Sequence, residues 1–279
     1  MKNFDSHRFR NLMRYELTAN KRNIINTMLI MTLALTFVYV STTIRTLHDN
    51  VNYNNNNLLW ELVTSTTSIY VLFATLGASR IFYNMRRKQD RINFLTLPAT
   101  NVEKFMARYL YATVGYLLMY TGSAVVADVL NRIMAYMLYS VDVGSVCLHG
   151  MKGLFDISML VLIELIRHDN EQVEIILTIL LVVFMVLSCG SMYIFGGSFF
   201  RRNQWVLTTF SMTVVSIALT TASTMLLHVS NTEALSKSEL LVLIMFADLL
   251  LPLLIVVLHC LAWKLFCRTQ VITGEWTNL

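Results

Sequence analysis

The chain has 279 residues, 56% of them hydrophobic and only 14% charged, with a mean hydropathy of +0.57. A soluble domain carries roughly a quarter charged residues, so this composition excludes an ordinary water-soluble globular domain. The net charge of +5 calls for no nucleic-acid partner, because lysine and arginine gather on one side of the apolar runs, where anionic lipid headgroups supply the counter-charge.

The first 23 residues contain "FDSHRFRNLMRYELTANKR", which sets Phe9, Leu12, Met13 and Leu17 on one side of a helix and arginines elsewhere. That pattern predicts an amphipathic helix lying in the membrane interface. Residues 24–279 then read as a six-helix transmembrane domain, with spans at 24–44, 58–79, 105–127, 175–198, 205–227 and 240–263. Each run is about twenty residues, enough for a helix to cross a hydrocarbon core of about 30 Å. Barrel-type alternation is missing, and a continuous apolar run satisfies its own backbone in lipid only as a helix, so the fold class is all-α and polytopic. The first span lacks a small-residue cleavage site behind it and reads as a retained helix.

Placing both termini in the cytoplasm leaves only Arg45, Arg132, Lys152, Arg167 and Lys237 outside, out of 22 lysines and arginines. That bias sets the orientation. Trp60, Trp205 and Trp263 fall at span ends, as interfacial aromatics do. The stretch "VNYNNNN" (51–57) is a polar external loop.

Between spans two and three runs "RRKQDRINFLTLPATNVEKFMARYL" (86–110). The basic half anchors span two. The second half is an apolar stretch, a turn at Pro98, and a new helix that Thr100 or Asn101 caps, with Glu103 in its first turn where the helix dipole favours an acid. The cytoplasmic segment 80–104 is thus expected to carry a small, partly apolar knob at 95–104 that serves as a docking surface.

Span three ends at Asp128 and Arg132, spaced i, i+4 and expected to pair. The external segment 128–174 follows; its "LFDISMLVLIELI" (154–166) is too short to cross and reads as a surface helix. Cys147 is the sole external cysteine, so no external disulfide is available. Span five carries a hydroxyl stripe, Thr209, Thr213, Ser216, Thr220 and Ser223, and span two a thinner one, Thr64, Ser68, Thr75 and Ser79. Such hydroxyls act as packing glue worth about 0.6 kcal/mol each, or line a mildly polar translocation path or dimer seam. Asp248 lies deep in span six, four residues before Pro252, where a charged acid is costly and should face protein or water. His228 and His259 lack a second ligand at helical spacing, and no metal site is expected.

The stretches "LTLPATNVEKFMARYL" and "FGGSFFRRNQWVLTT" (195–209) resemble the membrane subunits of type-2 ABC transporters from Bacteroidetes-type bacteria, in which a proline-broken segment between helices two and three carries the coupling helix. The interfacial first helix and six spans agree in layout. The resemblance implies a permease of exporter type in the bacterial cytoplasmic (inner) membrane, paired with a second permease copy or paralogue. It also implies a separate ATPase subunit seated on Leu95, Leu97, Pro98, Ala99, Glu103 and Lys104. Helices two and five would face the pathway, which favours Thr64, Ser68, Thr209, Thr213, Ser216 and Thr220 as path or seam residues, and Asp248 in span six joins them as an embedded acid. The chain lacks a G-x-x-x-x-G-K-[ST] loop, so ATP and Mg²⁺ belong to the partner and no cofactor or catalytic residue is expected here. Unlike that family, the connection 228–239 is short. The residues also leave open a non-transporting sensor or assembly partner, and an ion-coupled secondary transporter, which would need paired intramembrane acids or matched broken helices.

Overall fold

The computed structural model describes residues 4–49, 55–85, 88–167, 170–200, 203–230 and 237–268. Residues 51–54, Arg86, Arg87, Arg201, Arg202 and most of the short 228–239 connection lie outside the described residues, as do the side chains of Ser223 and His228. Ten α-helices are found among the described residues, and no strand. Five helical stretches are long and apolar enough to cross a membrane: Lys21–His48, Asn55–Ser79, Asn101–Tyr139, Leu177–Phe199 and Ile244–Arg268. The fifth expected span begins as the apolar helix Gln204–Ala218. The chain is an all-α multi-pass membrane protein.

The helices divide between two compact units, residues 1–74 with 110–166, and residues 75–109 with 167–279. The first unit opens with α1 (Ser6–Ala19), capped by Asp5, whose carboxylate accepts the His7 N–H at 2.9 Å. Its inward stripe is Leu12, Glu16 and Asn20, each four residues on; Asn20 Nδ2 donates to Glu16 Oε2 at 3.0 Å. Leu17, expected on the apolar side, points outward with Phe4 and Tyr15 beside the exposed Arg10 and Arg14. A buried Glu–Asn pair took the place that periodicity gave to leucine.

Helix α2 (Lys21–Asp49) packs parallel to α6 (Tyr116–Tyr139), with α3 (Asn55–Ser79) contributing Leu58, Leu59 and Leu62 to the same core. Met31, Leu35 and Tyr39 repeat every four residues along α2, opposite Ser123, Ala124 and Ala127 on α6. Small residues there let the backbones approach, which in lipid substitutes for a hydrophobic drive between helices. Polar crossings fix the register. Ser123 Oγ donates to the Met28 carbonyl at 3.2 Å, Thr43 Oγ1 to Asn131 Oδ1 at 3.1 Å, and Tyr120 OH to the Thr66 carbonyl at 2.6 Å. Helix α6 is reached from α5 (Asn101–Leu110) through a π-helical segment, Tyr111–Gly115.

Span three runs to Tyr139, well beyond the expected end at 127. The expected Asp128–Arg132 pair does not form. Asp128 is buried and caps α7 (Val146–Arg167): it accepts the Val146 N–H at 3.0 Å, the Cys147 N–H at 3.3 Å and the Ser145 hydroxyl at 2.6 Å. Arg132 turns to Asp142 at 3.1 Å. The external segment therefore starts after Ser140, and its helix begins at Val146 rather than 154.

In the second unit, α8 (Asn170–Phe199) packs against α10 (Lys237–Arg268) and turns into α9 (Gln204–Ser230). The residues on either side of this connection pack closely. Gly197 lies so close to the Ser79 carbonyl that a Cβ would overlap it, Gln204 Nε2 donates to the Gly197 carbonyl at 2.9 Å, and Trp205 Nε1 donates to Thr75 Oγ1 at 3.3 Å. The short α4 (Lys88–Leu95) completes the unit.

Candidate functional site

The segment between α4 and α5 folds as a compact elbow. Asn93 and Phe94 lead into a turn at 96–99 in which Thr96 N–H donates to Ile92 O at 3.0 Å and Ala99 N–H to Leu97 O at 2.8 Å. Pro98 sits at the exposed tip, where its missing N–H costs nothing. Thr100 is the cap of α5. Its backbone N–H donates to Glu103 Oε2 at 2.8 Å, and the Glu103 N–H donates back to Thr100 Oγ1 at 3.3 Å, a reciprocal capping box.

Three cations hold the elbow from within. Arg91 Nε donates to the Met85 carbonyl at 3.1 Å, and Lys104 Nζ donates to the Leu95 carbonyl at 2.8 Å. The Arg108 guanidinium lies 4.6 Å from the Phe94 ring centroid, within cation–π range. All three are 5% exposed or less, as is Glu103. Of the expected docking residues, Glu103 and Lys104 thus staple the knob from inside, while Leu95, Leu97 and Ala99 are half-buried and Pro98 faces out. Val102 and Met106, one turn apart on α5, add exposed apolar surface beside Pro98.

Below the elbow lies an aromatic cluster. Phe82 stacks on Phe266 at 5.1 Å; Phe105 meets Trp263 edge-on at 5.3 Å and Phe266 at 5.7 Å; Phe94 meets Phe266 at 6.4 Å. Tyr109 meets His259 at 5.5 Å. The elbow is therefore packed onto the last two turns of α10. Sequence reasoning read Arg91 as part of the basic anchor of span two and overlooked Phe94 and Phe266. The available signal was the aromatic pattern Trp263–Phe266 at the inner end of α10 opposite Phe94 and Phe105.

The hydroxyl residues fall in both units. Thr64 and Ser68 belong to the first and are exposed, with hydroxyls donating to the Glu61 and Thr64 carbonyls at 2.9 and 3.0 Å. In the second, Thr213 and Thr220 donate to the Phe210 and Ser216 carbonyls at 2.8 and 3.0 Å, and Ser216 is exposed. Thr209 meets another helix, its hydroxyl 3.0 Å from the Tyr193 OH. Thr64, Ser68, Thr213, Ser216 and Thr220 thus lie on outward helix surfaces, with most of their hydroxyls satisfied by their own backbone, whereas Thr75 and Ser79 at the inner end of the span-two stripe are buried. Asp248 differs. Both of its carboxylate oxygens are shut away from the surface, with no hydrogen-bond partner among the described residues. Pro252 lacks the N–H that would otherwise bond the Asp248 carbonyl, so unmet oxygen gathers at this one position.

Among the described residues no group of three or more His, Cys, Asp or Glu could hold a metal ion. Burial pushes the Cys147 thiol up to about 11, and the neighbouring Asp128 carboxylate adds to the effect, so this cysteine stays an inert thiol at neutral pH. No family model, curated protein or solved structure matches the chain.

Proposed function

We propose that the chain is the membrane-spanning permease subunit of an ATP-binding-cassette exporter in a bacterial cytoplasmic membrane, working with a second permease chain and a separate ATPase. The observation that carries this reading is the elbow: a cytoplasm-side turn presenting Pro98, Leu97 and Val102, braced internally by buried cations and packed on the end of α10. A passive topology anchor needs exposed charges, whereas here three cations are spent inside. A rigid lever needs such bracing, because a soft loop would absorb the displacement of a docked subunit.

In this mechanism nucleotide closure in the ATPase moves the tip at Pro98. The Thr100–Glu103 box and the Lys104–Leu95 bond keep the turn from flexing. The motion then reaches Phe266 and Trp263, and through them α10, the helix that carries Asp248. The exposed hydroxyls supply polar surface for a path or seam, and movement of α10 would open the enclosed Asp248 carboxylate to it. ATP and Mg²⁺ act in the partner subunit.

The test is photo-crosslinking in native membranes from a photo-reactive residue placed at Pro98, with a control at the membrane-facing Leu118. The expected product is a crosslink from 98, not 118, to a protein whose own sequence contains G-x-x-x-x-G-K-[ST]. A chain that crosslinks to no such protein from 98, 97 or 102 overturns the assignment.

A further inference from the structure

The first unit carries a feature that the coupling mechanism does not use. The last turns of α6 and the connection that follows it form a groove of about 380 Å³ lined by Val129, Arg132, Ile133, Tyr136, Met137 and Asp142. That size lies in the range of about 300–1,000 Å³ typical of small-ligand sites. Its floor is apolar: Val129, Ile133 and Met137 repeat every four residues, all exposed, and span roughly 12 Å of helix at 1.5 Å per residue. Its rim is an ion pair, Arg132 Nη2 to Asp142 Oδ1 at 3.1 Å, with side chains 45% and 75% exposed.

A rim built this way fits one ligand chemistry. The pair uses one of the five guanidinium N–H groups and one of the two carboxylate oxygens, leaving donors and an acceptor side by side. An anionic headgroup would meet Arg132 but be repelled by Asp142. A quaternary ammonium headgroup has no N–H to give the carboxylate. A headgroup with both a phosphate and a primary ammonium satisfies the two residues together, while its acyl chain lies along the Val129–Ile133–Met137 stripe. The Tyr136 phenol, exposed beside them, suits the headgroup level. We infer that this groove is a binding site for a zwitterionic phospholipid with a primary-amine headgroup, a phosphatidylethanolamine, in the outer leaflet. The site stands independently of the ABC reading.

The experiment is native mass spectrometry of the full-length, delipidated protein titrated with phosphatidylethanolamine, phosphatidylcholine or phosphatidylglycerol. Wild type should retain phosphatidylethanolamine about fivefold more tightly than either of the others, the scale of one exposed charge-assisted contact. Asp142→Asn should abolish that preference while still holding all three lipids, and Arg132→Gln should weaken all three. Both side chains are exposed, so the variants should fold, and unchanged thermal unfolding in detergent would verify that. Equal retention of the three lipids by wild type, or an undiminished preference in Asp142→Asn, overturns the inference and leaves non-selective annular lipid.

Discussion

At Glu103 the sequence and the structure agree about position and differ about duty. An acid in the first turn of a helix is favourable wherever it points, yet here it is buried and closes a box with Thr100. Thr100→Ala should therefore cost about 1 kcal/mol of stability. Combined with Glu103→Ala the loss should fall short of the sum, because the two residues share one interaction. Thermal unfolding of single and double variants in detergent measures this, and full additivity would mean no box. Asp248 should behave oppositely. Its oxygens find no donor among the described residues, and such a group costs about 1–3 kcal/mol, so Asp248→Leu should raise the unfolding temperature. A residue that destabilises its own fold is kept for some other reason, and in the proposed permease that reason is the path. Loss of transport together with gained stability is the expected signature, whereas a stability loss would make Asp248 a structural group.

The helices as elements were legible because lipid leaves few alternatives: a continuous apolar run of twenty residues has to be a helix. The ends were less so. Asp128, Asn131 and Arg132 look like a chain leaving the membrane, but Asp128 and Asn131 are buried against Ser145 and Thr43, and only Arg132 reaches the rim. Polarity predicts exit only when partners are absent, and partners from other helices cannot be seen in a one-dimensional pattern. Helix α7 starts early for the same reason, since its cap comes from α6. Glycines in α8 give a second case. Gly190 has nothing within 4 Å of a built Cβ, while Gly197 abuts the Ser79 backbone. Gly190→Ala should be neutral or stabilise by up to about 1 kcal/mol through helix propensity. Gly197→Ala should destabilise by about 1–3 kcal/mol, as overpacking does. Equal effects in thermal unfolding would show that α8 is not close-packed against Ser79.

For the molecule as a whole, the elbow's position was readable from a proline between charged and apolar runs, but its connection was not. Nothing in the order of residues ties Phe94 and Phe105 to Phe266, more than 150 positions later; only packing does. That tie makes the lever testable apart from docking. Phe105→Ala removes the ring that joins Trp263 to the elbow but leaves the Pro98 tip untouched. In the reconstituted complex the variant should crosslink from position 98 to the ATPase as well as wild type does. A fluorophore on Cys267, exposed near the end of α10, should report ATP binding in wild type and lose most of that response in the variant. Docking and transmission then separate, because the first depends on the tip and the second on the aromatic cluster. If the Cys267 signal survives Phe105→Ala at full size, the force travels by another route and the buried cations serve folding alone. If the crosslink disappears together with the signal, Phe105 shapes the tip itself, and the elbow is a docking surface without a lever behind it.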